Sequence, residues 1–495
     1  MKKIIILLVL VLTIGACDTG FDEMNIDPTK PAQIDPSAKF TYIQLHTAGE
    51  WYGSYLFYSV IQLMPNVQQI NITHYHPIFT YKPGKNTHMF YEAQYKHSIK
   101  TLVDLKQQLS ESTSATKDVD LAILDIQKVL TFSRITDLWG DIPYSEAGLG
   151  AIEGIRFPKF DTQSDIYNDM LTSLESAVAT LNSGGSSSFG ASDIIYGGDT
   201  GKWKKFANSL MLRLALRLVK VDDGNAQSWA QKAINGGVMQ SNDDIAYIKM
   251  ENHPNDQGPN VNQLTKCFTS RHPNQIKISK TFMDFMKDRN DPRVSVLCST
   301  VDGNTDFALQ EGQDINDFTR GEANSKPNIN LFGGSGVTIY DAPFFFQTYA
   351  EVEFMLAEAA KRWGNIGDVE PHYKEGVRAA MQYLSLYGGV IDEAQINDYL
   401  INNPFDDANA LQMINEQYWV ATFGNGVETY SNWRRSGFPE LTPMDLADGL
   451  TGGVIPRRFV YPGSEKLNNT DNVQEAINRL SGGDTNTSRV WWDSE

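Results

Sequence analysis

Cysteine is scarce: Cys17, Cys267 and Cys298 are the only three in 495 residues. With Cys17 set aside, a single bridge between Cys267 and Cys298 is all that an oxidising compartment could form. Spacing alone fixes no disulfide geometry, so two separate buried thiols are the expectation. Lys/Arg-rich runs are absent, the formal charge is −18 and the pI is about 4.9. That balance argues against nucleic acid as a partner and fits a soluble exported protein. After residue 16 no apolar segment is long enough to span a bilayer. Gly-x-Ser-x-Gly, His-Glu-x-x-His and phosphate-loop patterns are all missing, so no familiar catalytic set presents itself.

What is present begins at the N-terminus. Lys2 and Lys3 precede an apolar stretch, Ile4–Ile14, too short to be a mature transmembrane helix. Gly15-Ala16-Cys17 follows, small residues directly before a cysteine, as in a lipoprotein signal-peptidase box; Ile14 stands where leucine is more usual. Residues 1–16 therefore read as a lipoprotein signal peptide and Cys17 as the lipid attachment site, with acyl chains anchoring the protein to a bilayer. Removing residues 1–16, which carry two lysines and no acid, takes the formal charge to −20. Residues 17–36, with Pro28, Pro31 and Pro36, read as an extended tether.

Residues 37–495, 41% hydrophobic and 11% aromatic over the whole chain, are ample for one large domain or two to three smaller ones. Leu121, Leu124, Lys128, Phe132 and Ile135 recur at helical spacing. Gly140 then offers a left-handed cap, and Pro143 cannot continue the helix. Trp139 and Tyr144 are placed to pin the resulting corner against the helix. Helices are predicted over 37–63, with Ser37 as cap, and over 89–110, 116–138, 164–182, 203–219, 227–235, 279–289, 345–363, 368–387, 392–402, 406–423, 425–436 and 473–480. They fall in pairs joined by short loops, which suggests stacked repeats, although no strict consensus recurs. Arg213 and Arg217 flank the Leu210, Leu214 and Leu218 stripe and should reach acids or helix ends. Between residues 241 and 344 the chain reads as irregular apart from the helix over 279–289, and a loop region that long is usually functional.

Several strings, in order, resemble the SusD/RagB family of outer-membrane nutrient-binding lipoproteins. They are RITDLWGDIPYSEA (134–147), GDTGKWKKFANSLMLRLALRL (198–218), DRNDPRV (288–294), YAEVEFMLAEAAKRWG (349–364), the segments 414–441 and 455–469, and VWWD (490–493). The resemblance implies that residues 37–495 form a single, mostly α binding domain of tetratricopeptide-like repeats with long irregular loops. It also implies a surface-exposed outer-membrane lipoprotein that captures nutrient for a SusC-type TonB-dependent transporter. Acids after the lipid cysteine, Asp18, Asp22 and Glu23, resemble the surface-export signals of that family's bacteria.

The family's ligand sites lie on loops beside the helices. Here the matching regions are the loop after the first helix and the 241–344 segment. Sugars present flat apolar faces and many hydroxyls, which aromatic rings and Asn, Arg or His side chains match. Tyr75, His76, Phe79 and Tyr81 are the candidates in the first region, with Trp51 and Tyr55 on the preceding helix. Arg271, His272, Asn274, Arg320 and Tyr340 are the candidates in the second. Oligosaccharide is the expected ligand; oligopeptide, which would use backbone hydrogen bonds, is left open by these residues.

Other constellations read as structural. Glu351, Glu353 and Glu358 suggest a glycosidase acid/base set, but acids on such a helix more often bond neighbouring repeats. An exported glycoside hydrolase is thus the third reading, and no enzymatic activity is expected. His74-Tyr75-His76, with His46 or His88, is better read as a polar loop than as a metal site. Asp302-Gly-Asn304-Thr-Asp306 starts like a calcium loop, but Phe307 and Gln313 stand where Gly and Glu belong. No cofactor is expected, and calcium elsewhere in the long segment is left open.

Overall fold

The computed structural model describes residues 34–49, 52–72, 86–251, 258–271, 275–299, 325–328, 331, 341–364, 367–444 and 451–495, with Tyr52, Ser270 and Arg271 described in backbone only. The architecture is mostly α. Helix α1 (Pro36–Ala48) is capped by Asp35, whose carboxylate accepts from Ser37 N at 2.8 Å, so the cap lies two residues before the expected Ser37. The predicted continuous helix to Leu63 breaks at Gly49. It resumes over Tyr52–Tyr55, widens to i→i+5 bonding over Leu56–Leu63 and ends at Met64–Asn66. Strand β1 is Ile70–Ile72. The next helix starts at His88–Ala93, widens over Gln94–Ile99 and becomes α2 (Lys100–Ser110).

Helix α3 (Lys117–Trp139) reaches the corner, where β2 (Ile142–Pro143) pairs with β3 (Phe160–Asp161). Gly140 has φ 84° and ψ −121°, a positive-φ turn that differs from the left-handed helical cap expected. Tyr144 pins the turn to the helix: its ring meets Phe132 edge-on at 4.7 Å, and the Lys128 ammonium lies over it at 4.2 Å. That explains a lysine on the otherwise apolar stripe. Trp139 does something else. It donates to Val460 O at 3.0 Å and packs on Phe459, binding the C-terminal region to the corner.

Beyond the corner come α4 (Gln163–Asn182), α5 (Thr200–Arg217) and α6 (Asp223–Gly236). Side chains of Thr162, Asp199 and Asp222 cap them, each accepting a first-turn N–H. Strand β4 (Ala246–Ile248), a short helix α7 (Gln263–Lys266) continued by a widened turn Cys267–Arg271, and β5 (Ile276–Ile278) follow. Then come α8 (Lys280–Lys287), α9 (Arg293–Leu297), β6 (Cys298–Ser299), β7 (Lys326–Pro327) and β8 (Phe344–Gln347). The 241–344 region thus holds more regular structure than its composition suggests. Phe344–Gln347 is a buried strand where helix was predicted, and the helix starts only after Thr348. Thr348 and Glu351 form a capping box that opens α10 (Tyr349–Trp363), closed by Gly364 at φ 68°.

The remaining helices are α11 (Val369–Gln382), α12 (Glu393–Asn402), α13 (Ala410–Ala421), α14 (Gly426–Ser436), α15 (Gly463–Asn468) and α16 (Thr470–Arg479). α13 begins later than predicted because Asp407–Asn409 is a tighter 3-10 turn, and α15 went unpredicted. Helix α3 packs on α4, α4 on α5 and α5 on α6; α10 packs on α11 and α13, and α5 also meets α10. One core unites them, with Trp139, Trp203 and Trp492 fully buried. Cys267 and Cys298 are free, buried thiols, as expected, and burial pushes both pKa values up. Among the described residues no helix is long and apolar enough to cross a membrane.

Candidate ligand site

The two loop regions singled out in the sequence are rooted on one framework. β1 and β5 pair antiparallel, with Ile72 opposite Ile276. Residues 73–85 therefore leave the framework beside the point where residues 272–274 return to it. Helix α7 organises the other roots. Asn262 caps it, accepting from Thr265 N at 2.9 Å, while its amide donates to Ala342 O at 2.9 Å and Pro343 O at 3.1 Å. Gln263 donates to Gly258 O at 3.0 Å and Val261 O at 3.1 Å. At Gly49 an added Cβ would stand 3.4 Å from the Tyr55 ring and 3.9 Å from Gln263. Ser325 O accepts from Ile278 N at 2.8 Å, and β6 pairs with β7, closing the ends of 300–324. Gly49, Gly258 and Ala342–Pro343, far apart in sequence, thus lie beside α7.

Beside α7 lies a small cavity lined by Tyr55, Phe344, Phe345, Tyr383 and Tyr387, with Asn262, Asn425 and Glu351 among its polar groups. Its space is about that of one or two water molecules, too small for a pyranose ring, so it belongs to the core beneath α7. Tyr55 is 2% exposed. Its hydroxyl donates to Gly424 O at 3.0 Å and its ring meets Tyr58 at 5.2 Å. Burial pushes its pKa up to about 12. Tyr55 is therefore a core residue in the cavity wall, which corrects the expectation that it offers a ligand an open face. Helical spacing signals burial and ligand contact alike, and here burial wins.

Trp51, Tyr75, His76, Phe79, Tyr81, His272, Asn274, Arg320 and Tyr340 lie outside the described residues, as does Cys17. Arg271 ends the widened turn after α7, with only its backbone described. Asn262 and Gln263 were not singled out in the sequence; the available signal was the Asn-x-x-Thr cap at 262–265.

The three helix acids are each tied to a neighbouring side chain. Glu351 accepts from Arg213 at 2.6 Å and Tyr418 at 3.1 Å. Burial raises its pKa, with Arg213 opposing. Glu353 meets His372 at 2.7 Å. Glu358 holds Arg435 at 2.5 and 2.7 Å and Arg362 at 2.7 Å. Its own burial raises its pKa, but the two guanidinium groups outweigh that and hold the carboxyl well below the usual range. Among the described residues no group of three His, Cys, Asp or Glu side chains is placed to hold a metal ion. His46 instead stacks on His97 at 4.9 Å. The segment 302–313 lies outside the described residues.

Residues 28–462 match the family model SusD-like_2, described as starch-binding and associating with the outer membrane, and the chain belongs to this SusD-like family. Among solved structures it resembles a chitin-binding protein at 31% identity, with TM-score 0.82, covering 93% of this chain and all of the other. A SusD homologue from Bacteroides uniformis matches at 25% identity and TM-score 0.78, covering 93% and 99%. A chitin-binding SusD homologue from Flavobacterium johnsoniae, 24% identical with TM-score 0.77 over 93% and 99%, shares the fold. No curated protein matches this chain.

Proposed function

We propose that this protein is a surface-exposed outer-membrane lipoprotein that binds oligosaccharide and delivers it to a SusC-type TonB-dependent transporter. The observation that carries the reading is the likeness to a chitin-binding protein along that protein's whole length, at 31% identity. The ligand loops are those rooted around α7 and the β1–β5 pair. Isothermal titration with chitohexaose, maltohexaose and a mixed oligopeptide pool tests the ligand class. Saturable binding of a glycan is expected, and binding of peptide alone would replace the glycan with oligopeptide. Delivery predicts co-purification with a large β-barrel protein from outer membranes; recovery without one counts against that role.

Two variants test the anchor and the site. Cys17→Ala should yield a folded protein that still binds ligand but fractionates away from membrane, because residues 17–36 read as tether. Persistence in the detergent-free membrane fraction would refute lipidation. Tyr75→Ala and Tyr81→Ala should leave Tm nearly unchanged, since surface changes usually fall within about ±0.5 kcal/mol. They should weaken glycan binding by about 2 kcal/mol if the rings are binding hot spots. A large drop in Tm for both would move this loop into the core and the binding surface to the 241–344 region.

A further inference from the structure

Arg289, just past the end of α8, stands at the edge of an open cleft of about 380 Å³ that α11, α12 and α13 complete. That volume falls in the range of small-ligand pockets, about 300–1,000 Å³. α8 follows directly on β5, and the cleft lies at the far end of α8 from the β1–β5 pair that roots the loops. Tyr373, Tyr399, Asn402, Gln412 and Glu416 line it with Arg289. The walls are fixed from behind. The Asn403 amide donates to Arg289 O at 3.0 Å and Tyr399 O at 2.9 Å, tying the end of α8 to α12. The Arg289 guanidinium lies 3.8 Å from the Phe285 ring, which meets Trp419 of α13 edge-on at 5.6 Å. A ligand would therefore find the site already formed, which lowers the cost of binding.

Two tyrosines bring spare donors to this cleft. Tyr373 is 2% exposed and its ring packs on Phe405 at 5.0 Å, yet its hydroxyl has no hydrogen-bond partner among the described residues. A polar group that buried normally has one. Tyr399 is 3% exposed, and its hydroxyl accepts from the Gln417 amide at 2.9 Å. Gln417 is held in that orientation because its carbonyl accepts from Arg293 at 2.7 Å. The Tyr399 O–H is thereby left to donate, and no described residue accepts it. Burial raises both phenol pKa values, so both hydroxyls keep their protons. Charge narrows the ligand further. Arg289 meets Glu416 at 3.5 Å, and Glu416 also accepts from Gln412 at 2.8 Å. Asp406, the other acid in the wall, is occupied by Ala408 N at 3.0 Å and Asn409 at 2.7 Å. A guanidinium beside a carboxylate favours neither an anion nor a cation. What remains on offer is hydroxyl donors, the exposed Asn402 amide and tyrosine rings, which suit a neutral ligand with many hydroxyls. We propose that this cleft is a saccharide subsite, holding one or two neutral sugar units where α8, α11, α12 and α13 meet. It rests on the loop-site reading above only in being a second such site.

Isothermal titration of the full chain with maltose, cellobiose and N,N′-diacetylchitobiose tests this, and saturable binding of at least one is expected. Tyr373→Phe removes a hydroxyl that bonds to nothing in the described chain. Tm should therefore stay unchanged while affinity for that disaccharide falls at least about fivefold. Asn402→Ala, at the exposed rim, should weaken the same signal without unfolding the protein. A disaccharide signal that both variants leave intact belongs to another site, the loops included, and overturns the cleft. Failure of all three disaccharides to bind overturns it as well. Dipeptide binding that is lost in Tyr373→Phe, with no disaccharide bound, overturns the saccharide assignment in favour of peptide. Because Tyr373→Phe and Tyr75→Ala report on different sites, either site can fail without the other.

Discussion

Replacing Glu358 by alanine is expected to lower stability by about 3–5 kcal/mol, the usual cost of stranding one partner of a buried ion pair. Glu358 is 1% and Arg435 2% exposed, and the guanidinium meets both carboxylate oxygens. Without the carboxylate, Arg435 would keep only the amide oxygens of Asn415 and Asn432. The pair joins α10 to α14, and Asn415 of α13 donates to the same carboxylate at 3.1 Å. The single substitution therefore loosens three helices at once. Urea unfolding followed by circular dichroism measures the loss; a change below about 1 kcal/mol would mean that Arg435 finds water. Glu358→Leu combined with Arg435→Met should recover much of the loss, because the cost lies in the stranded charge.

The same pair has a pH signature. Its folded-state carboxyl is held below the ordinary value of 4.5. A depressed carboxyl stabilises the fold at pH above its unfolded pKa, and that contribution is lost as pH falls through the folded one. The stability gap between the unaltered chain and Glu358→Ala should therefore be full at neutral pH and narrow progressively below about 4.5. A gap independent of pH would assign the loss to packing.

Much of this arrangement was legible in the sequence, and the limits of legibility have physical reasons. Apolar spacing located most of the long helices because each buries a continuous stripe. The placement of Arg213 and Arg217 beside a leucine stripe foretold their acids: Arg213 reaches Glu351 and Arg217 reaches Glu428. Strand β8 was misread because three consecutive phenylalanines carry neither period, although the Thr348–Glu351 capping box marked the true helix start. The joining of β1 to β5 spans about two hundred residues and depends on tertiary packing that no local pattern encodes. For the same reason Trp139 could be seen as a pin, but not that it pins the chain near Val460. Tyr55 shows the ambiguity of an aromatic on an amphipathic helix: the residue type suits a sugar and a core equally.

Trp492→Ala should be as damaging as the loss of Glu358, although it lies only three residues before Glu495. The segment around Trp492 is tied to the corner. Trp492 is fully buried, its indole N–H donates to Asp137 at 3.1 Å, and its backbone N–H reaches Gln163 at 3.4 Å. The guanidinium groups of Arg217 and Arg434 lie 5.6 and 4.6 Å from its ring. Alanine would leave a cavity beneath two cations and take a donor from a buried carboxylate, so a loss of about 3–5 kcal/mol is expected. Trp491 supplies the control. It is 38% exposed and touches Tyr167 edge-on at 6.2 Å, so Trp491→Ala should cost about 1 kcal/mol or less. Thermal unfolding of the two variants side by side separates the cases. Equal, small losses would show that the C-terminal segment lies on the corner without stabilising it. A large loss confined to Trp492→Ala would make the last residues a structural part of the corner formed some 350 residues earlier.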